Sequence, residues 1–254
     1  MDTEFHVIIP ARYHSTRFPK KLLMDLHGQT VLERVYCQSL LAKPKSVTIA
    51  TDHVEIFNLA QRINAPVIMT DAAHTTGTDR IAEVVKNLSF SPQDIIINVQ
   101  GDEPLIPPAL ITQVADVLAR STTSMATLCW PIDDYSIASS PHVVKVVRDN
   151  NRNALYFSRN IIPAHRDTPE QIKQAFRHIG IYAYRASFLL DIVTWPVCEL
   201  ETIEAIEPLR VLWAGHRICV EQACVPPMQD INTPEDLERA RIFFANKEAR
   251  QETT

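Results

Sequence analysis

Phe5-His6-Val7-Ile8-Ile9-Pro10 runs directly into Ala11-Arg12-Tyr13-His14-Ser15-Thr16-Arg17-Phe18-Pro19-Lys20-Lys21. The apolar half reads as a buried β-strand. The half after it carries four cations, Arg12, Arg17, Lys20 and Lys21, together with the hydroxyls of Ser15 and Thr16. In an open α/β sheet, ligands sit in the crevice at the carboxyl ends of the strands. A loop there with Arg, Lys, Ser and Thr side chains suits several phosphate oxygens, through charge-assisted hydrogen bonds. A solvated basic turn is the plainer alternative. The chain has neither the P-loop pattern nor G-x-G-x-x-G, the usual Gly-rich phosphate signatures.

Outward from this junction, strand and helix signals alternate. Strands are predicted at 5–10, 47–51, 67–70 and 94–100, with helices at 29–42, 53–63, 77–88 and 107–120 between and after them. Ile95-Ile96-Ile97-Asn98-Val99 is continuous and β-branched, as a strand covered on both faces should be. This alternation implies βαβ units and a mostly parallel sheet. The fold class is therefore α/β, a mostly parallel open sheet of nucleotide-binding type over about residues 1–130. The second half is less regular. Strands are predicted at 143–147, 154–157, 180–184 and 217–222, an exposed excursion at 160–176, and a helical pattern from Glu199 to Trp213 interrupted at Pro208. Thr233-Pro234-Glu235-Asp236 is a strong helix start, with Thr at the cap, Pro first and acids in the first turn.

Composition bounds the function. At 254 residues with 46% hydrophobic content, the chain can bury a substantial core. A net charge of −5 argues against nucleic acid or an anionic membrane as the main partner, which makes the basic loop a local exception. No run approaches the ~18 apolar residues of a membrane span. The acidic Met1-Asp2-Thr3-Glu4 start carries no signal-peptide pattern. Five cysteines without C-x-x-C spacing read as reduced packing residues of a cytoplasmic protein. Of only five glycines, Gly77 and Gly101 fall in polar segments after strands, where a tight turn or close backbone approach is expected.

Three further clusters join the basic loop as candidates for chemistry. Thr70-Asp71 through His74-Thr75-Thr76-Gly77-Thr78-Asp79-Arg80 follows a strand and opens a helix, where free N–H groups and hydroxyls favour a polar ligand. Arg80 falls in the first turn, against the macrodipole preference, and so reads as a ligand contact or a solvated cation. Asn98-Val99-Gln100-Gly101-Asp102-Glu103-Pro104 ends the most buried strand. A carboxylate there is a natural Mg²⁺ ligand, because magnesium prefers one or two carboxylates plus phosphate oxygens and waters. Asp102 as a simple turn acid is the alternative. Arg159, His178, Tyr182 and Glu207 form a dispersed set whose members, taken singly, read more readily as structural.

In this order, the segments resemble the bacterial 3-deoxy-manno-octulosonate (Kdo) cytidylyltransferases, or CMP-Kdo synthetases. The resemblance is carried by Ile9–Lys21, Ala50-Thr51-Asp52, Gly77-Thr78-Asp79-Arg80, Asn98–Pro104, Ala154–Arg159, Arg177–Tyr182, Leu209-Arg210-Val211-Leu212 and Thr233–Arg239, which together reach nearly the length of the chain. It implies one nucleotidyltransferase domain of Rossmann-like type. About 1–130 would be the nucleotide-binding sheet, 131–225 a sugar-binding lobe also used for homodimerisation, and 226–254 a return loop and C-terminal helix. The implied reaction is CTP plus Kdo giving CMP-Kdo and pyrophosphate, a cytoplasmic step of lipopolysaccharide synthesis. By resemblance, Arg12, Arg17 and Lys21 hold the triphosphate, assisted by Ala11, Ser15 and Thr16. Gln100, Arg80 and the Thr76-Gly77 turn face cytosine and ribose. Asp102 binds Mg²⁺, and Arg159, His178, Tyr182 and Glu207 hold the sugar acid. Arg12, Lys21 and Asp102 are the expected catalytic set, with no side chain required as general base.

Three positions depart from the family pattern. Lys20 stands where Gly is usual, Asn232 where a second metal-binding Asp is usual, and Pro208 where a sugar-contacting Gln is usual. Asp230, two residues before Asn232, would point to the same face of an extended segment and could supply the missing carboxylate. Pro208 removes an amide and is expected to disturb its helix. These departures keep two alternatives open: a cytidylyltransferase for a modified acceptor such as 8-amino-Kdo, and a weakened CTP-binding homologue. An NAD-dependent dehydrogenase on a similar sheet fails for want of G-x-G-x-x-G after the first strand.

Overall fold

The computed structural model describes residues 3–14, 18–168, 171–172 and 174–251. Its strands are β1 (His6–Ala11), β2 (Asp25–Leu26), β3 (Gln29–Thr30), β4 (Ser46–Thr51), β5 (Val67–Met69), β6 (Ile95–Asn98), β7 (Met125–Pro131), β8 (Lys145–Arg148), β9 (Ala154–Ser158), β10 (Phe176–Arg185) and β11 (Cys219–Gln222). Its α-helices are α1 (Val31–Leu41), α2 (Val54–Arg62), α3 (Gly77–Leu88), α4 (Pro108–Arg120), α5 (Tyr135–Ser139), α6 (Ala186–Ile192), α7 (Glu199–Glu204), α8 (Pro208–Trp213) and α9 (Pro234–Gln251).

The main path of the sheet is β11-β7-β10-β6-β1-β4-β5, with β8 and β9 continuing from β10. β6, β1, β4 and β5 pair in parallel, as do β7 and β11; β10 alone on this path runs against both its neighbours. The mostly parallel α/β sheet read from the sequence is therefore present. β1 lies inside it, with Val7, Ile8 and Ile9 inaccessible to solvent. Alternation sends Val7, Ile9 and Ile97 to a core shared with α1, α4 and α9, and Ile8 and Ile96 to one shared with α3, α6 and α8. Both faces are covered, which explains why β1 and β6 read as unbroken apolar runs.

Several boundaries differ from the sequence reading, each for a physical reason. No strand was expected between 120 and 143, yet β7 is central, with Met125 to Cys129 buried. Its Met, Ala, Leu and Cys carry little β-propensity, so burial between β10 and β11 decides the matter. α5 and α6 were not anticipated either. The helix expected from residue 29 begins at Val31, because Thr30 and Glu33 form a capping box while Gln29–Thr30 pairs with β2 across a His27-Gly28 turn. The 199–213 helix is two helices. It breaks at Ala205, which is left-handed at φ 50°, and Pro208 opens α8, where its missing N–H costs nothing. The interruption expected at Pro208 is thus present as a break between two helices, with Pro208 itself at the first position of α8. Lys20, in the usual glycine position, adopts the left-handed shape (φ 59°) that glycine would supply. Its side chain is turned outward over the Tyr13 ring, 3.9 Å from the Glu55 carboxylate.

Candidate active site

The polar clusters meet where β1 ends. A Cβ on Gly101 would lie 2.9 Å from the Pro10 carbonyl, and one on Gly77 3.5 Å from the Pro10 ring. Only glycine lets the 100–104 turn close onto β1, and that approach brings Asp102 beside the basic loop. On the other side, the Arg12 guanidinium donates to the carbonyls of His74 (3.0 Å) and Thr75, tying the basic loop to the 70–77 segment. α3 opens there with a capping box in which Thr76 and Asp79 satisfy each other's N–H groups. Ala11 is buried at the strand end.

Lys21 occupies the middle of an oxygen cluster. Its Nζ donates to Asp102 Oδ2 (2.5 Å), the Ile231 carbonyl (2.9 Å) and Asn232 Oδ1 (3.4 Å). The Asn232 amide N–H in turn donates to Asp230, and the Ile231 N–H to the Asp102 carbonyl at 2.9 Å. The return loop is fixed by Asp236, which accepts from the N–H groups of Asn232 and Thr233 and caps α9. Burial first, then Asp102, pushes the Asp230 carboxyl up. Burial, with Asp102 and Asp230, holds Glu103 up at about 8, against a smaller opposing pull from Arg177. These carboxyls and one amide oxygen make an acidic pocket in which the ammonium of Lys21 is the nearest cation among the contacts described.

Beside it opens a cavity of about 230 Å³, whose lining includes Thr76, Gly77, Gln100, His178, Tyr182 and Glu207. α3 forms one wall, β10 the floor, and the Ala205–Val211 corner the other wall. The His178 ring meets Thr127 Oγ1 at 3.0 Å and packs edge-on against Phe157; burial pushes its pKa down to about 3, so the imidazole is neutral. Burial also raises the Tyr182 phenol, which stays protonated and able to donate. Glu207 accepts from Thr78 Oγ1 at 2.5 Å, and burial, opposed by that bond, raises its carboxyl. Neutral aromatic donors and one carboxylate suit a polyhydroxylated ligand.

Six of the expected residues, Thr76, Gly77, Gln100, His178, Tyr182 and Glu207, thus line one cavity, and Lys21, Asp102, Asp230 and Asn232 share an adjoining cluster. Two residues differ from expectation. Arg80 is fully buried, paired with Asp52 (2.7 Å) and Thr70 (2.5 Å), and ties α3 to the ends of β4 and β5. The sequence offered it as a cation against the macrodipole; the reason it tolerates that place is Asp52, whose pairing sequence spacing did not reveal. Arg159 donates to the carbonyls of Pro141, Glu204 and Ala205, behind the cavity wall. Ser15, Thr16 and Arg17 lie outside the described residues. Thr78 and Glu103 lie inside the clusters read from the sequence without a role of their own there, and Tyr184 was missed. The period-2 spacing of Tyr182 and Tyr184 on one strand was the available signal for it.

A cytidylyltransferase family model matches residues 6–218. A 3-deoxy-manno-octulosonate cytidylyltransferase of Legionella pneumophila (strain Lens) is 58% identical over 244 residues, covering 96% of this chain and 98% of the relative. One from Tolumonas auensis is 47% identical, over 95% of this chain and 97% of the relative. The solved structure of CMP:2-keto-3-deoxy-manno-octonic acid synthetase complexed with CTP superimposes with a TM-score of 0.89 at 34% identity, covering 96% of this chain and 99% of that one. A 4-diphosphocytidyl-2C-methyl-D-erythritol synthase shares the fold at a TM-score of 0.65 and 12% identity, with 96% of this chain and 99% of that one covered.

Proposed function

Because the chain belongs to the cytidylyltransferases, and among them to the 3-deoxy-manno-octulosonate cytidylyltransferases, we propose that its cleft joins CTP to Kdo through the residues described above. The enzyme transfers CMP from CTP to Kdo, giving CMP-Kdo and pyrophosphate. The observation that carries the reading is the adjacency of two unlike sites at the end of β1. One is the cluster of Lys21, Asp102, Asp230 and Asn232, with Arg12 across from it on the basic loop; the other is a cavity lined by neutral aromatic donors and Glu207.

In the proposed mechanism, Arg12 and Lys21 take the triphosphate, with Ala11, Ser15, Thr16 and Arg17 on the same loop. Gln100 and the Thr76-Gly77 turn face the nucleoside, with Arg80 bracing α3 behind them. His178, Tyr182 and Glu207 hold the sugar acid, and Arg159 supports their wall. The anomeric hydroxyl of Kdo attacks the α-phosphorus in line; a new P–O bond forms, the bond to pyrophosphate breaks, and the hydroxyl proton is lost. Positioning and charge neutralisation supply the rate. Asp102, Asp230 and Asn232 are oxygen donors of the kind magnesium prefers, and their acidity leaves room for a cation, so the residues fit that ion. When bound there, Mg²⁺ would neutralise phosphate charge. A homodimer formed through the 131–225 lobe and a cytoplasmic location belong to the same reading. Among the described residues no helix is long and apolar enough to cross a membrane.

The test is pyrophosphate release from CTP and Mg²⁺, without acceptor, with Kdo and with 8-amino-Kdo. Release with Kdo is the expected result. Release only with the amino sugar would keep the chemistry and change the acceptor, and CTP binding without release would identify a nucleotide-binding homologue.

A further inference from the structure

Thr78 stands on α3, on the nucleotide side of the cleft, yet its hydroxyl donates to Glu207, 129 residues away on the opposite wall. A threonine has one hydroxyl proton, and here Glu207 takes it. Tyr184, whose phenol burial holds protonated, stands nearby. All three residues line the cavity. With one carboxylate oxygen engaged by Thr78, the other is the one Glu207 can present to a hydroxyl in the cavity. The same bond sets the distance between the α3 wall, which carries the Thr76-Gly77 turn, and the α8 wall.

We propose that Thr78 is a positioning residue of the acceptor site: it orients Glu207 toward the sugar and holds the two walls in register. The proposal rests on the reading that Glu207 faces the acceptor. Thr78→Val keeps shape and removes the hydroxyl. It should raise KM for Kdo about tenfold, the size of one lost hydrogen bond to a charged group, while KM for CTP changes less than twofold. Thr78→Ser restores the hydroxyl and should bring KM for Kdo back toward the parent value.

Glu207→Gln separates the two levels. If Glu207→Gln raises KM for Kdo and Thr78→Val does not, the positioning role is overturned while the site reading stands. If Glu207→Gln leaves KM for Kdo unchanged, the site reading itself fails. A Thr78→Val enzyme whose KM values for CTP and Kdo rise together, or one that serine does not rescue, would make Thr78 a packing residue and overturn the proposal. If Thr78→Val does not fold, Thr78→Ala decides: an unchanged KM for Kdo overturns the positioning role.

Discussion

Lys20, on the basic loop, and Asp102, on the 100–104 turn, show how differently two residues on either side of Lys21 can be read. Lys20 replaces a glycine but keeps the left-handed backbone, at φ 59°, and adds contacts to Glu55 and Tyr13. The strain of a side chain there is offset locally, and the loop shape survives. Asp102 has no such latitude. Its carboxylate meets Lys21 at 2.5 Å, where the chemistry of charged phosphates needs both signs held in place by protein rather than by water. Asp102→Asn preserves volume and the Ile231 N–H bond to its backbone, and removes the charge. Turnover should fall at least ~100-fold, the loss typical of one preorganised electrostatic contact, while CTP binding by equilibrium dialysis changes far less. Near-normal turnover would take Asp102 out of the reaction.

Among the elements, the 100–104 turn is the one that positions chemistry by packing alone. Gly101→Ala would set a methyl 2.9 Å from the Pro10 carbonyl, so β1 and the turn must separate. Overpacking of this kind costs about 1–3 kcal/mol, and it also carries Asp102 away from Lys21. A lower urea midpoint together with reduced turnover is expected; a parent-like midpoint would mean that the end of β1 yields without cost. This turn was legible in the sequence because a glycine and an acid directly follow a strand too apolar to be anything but buried. α3 was equally legible, since Thr76 and Asp79 write its capping box. β7 was not: nothing local in Met125-Ala126-Thr127-Leu128-Cys129 favours a strand, and its partners β10 and β11 lie ~50–90 residues further on. The same distance problem hid Arg80. Its residue type and place in the first turn suggested a ligand contact, whereas Asp52, 28 residues earlier, makes it a buried brace.

Across the whole molecule, the sheet joins its parallel β6-β1-β4-β5 part to the β7-β11 pair through β10, the reversed strand, and His178 and Tyr182 stand on that seam. Burying a histidine there has a consequence for the pH dependence of folding. In the unfolded chain the imidazole has an ordinary value of 6.5, and in the fold burial lowers it to about 3. At pH 7 both states are neutral and the residue contributes no pH dependence. As pH falls below 6.5, the unfolded chain takes up a proton that the native protein refuses, so stability is lost progressively until pH nears 3. The slope is at most ~1.4 kcal/mol per pH unit, and smaller to the extent that solvent in the cavity reaches the ring. His178→Gln removes the titration and keeps a polar partner for Thr127. Urea midpoints measured at pH 7 and pH 5 should therefore converge in the variant relative to the parent, even though acids such as Asp149, Asp236 and Glu83, all held low by hydrogen bonds, still weaken both proteins in stronger acid. An equal loss in parent and variant between pH 7 and pH 5 would mean that the native protein admits the proton, and that the floor of the cavity is wetter and more mobile than its packing against Phe157 implies.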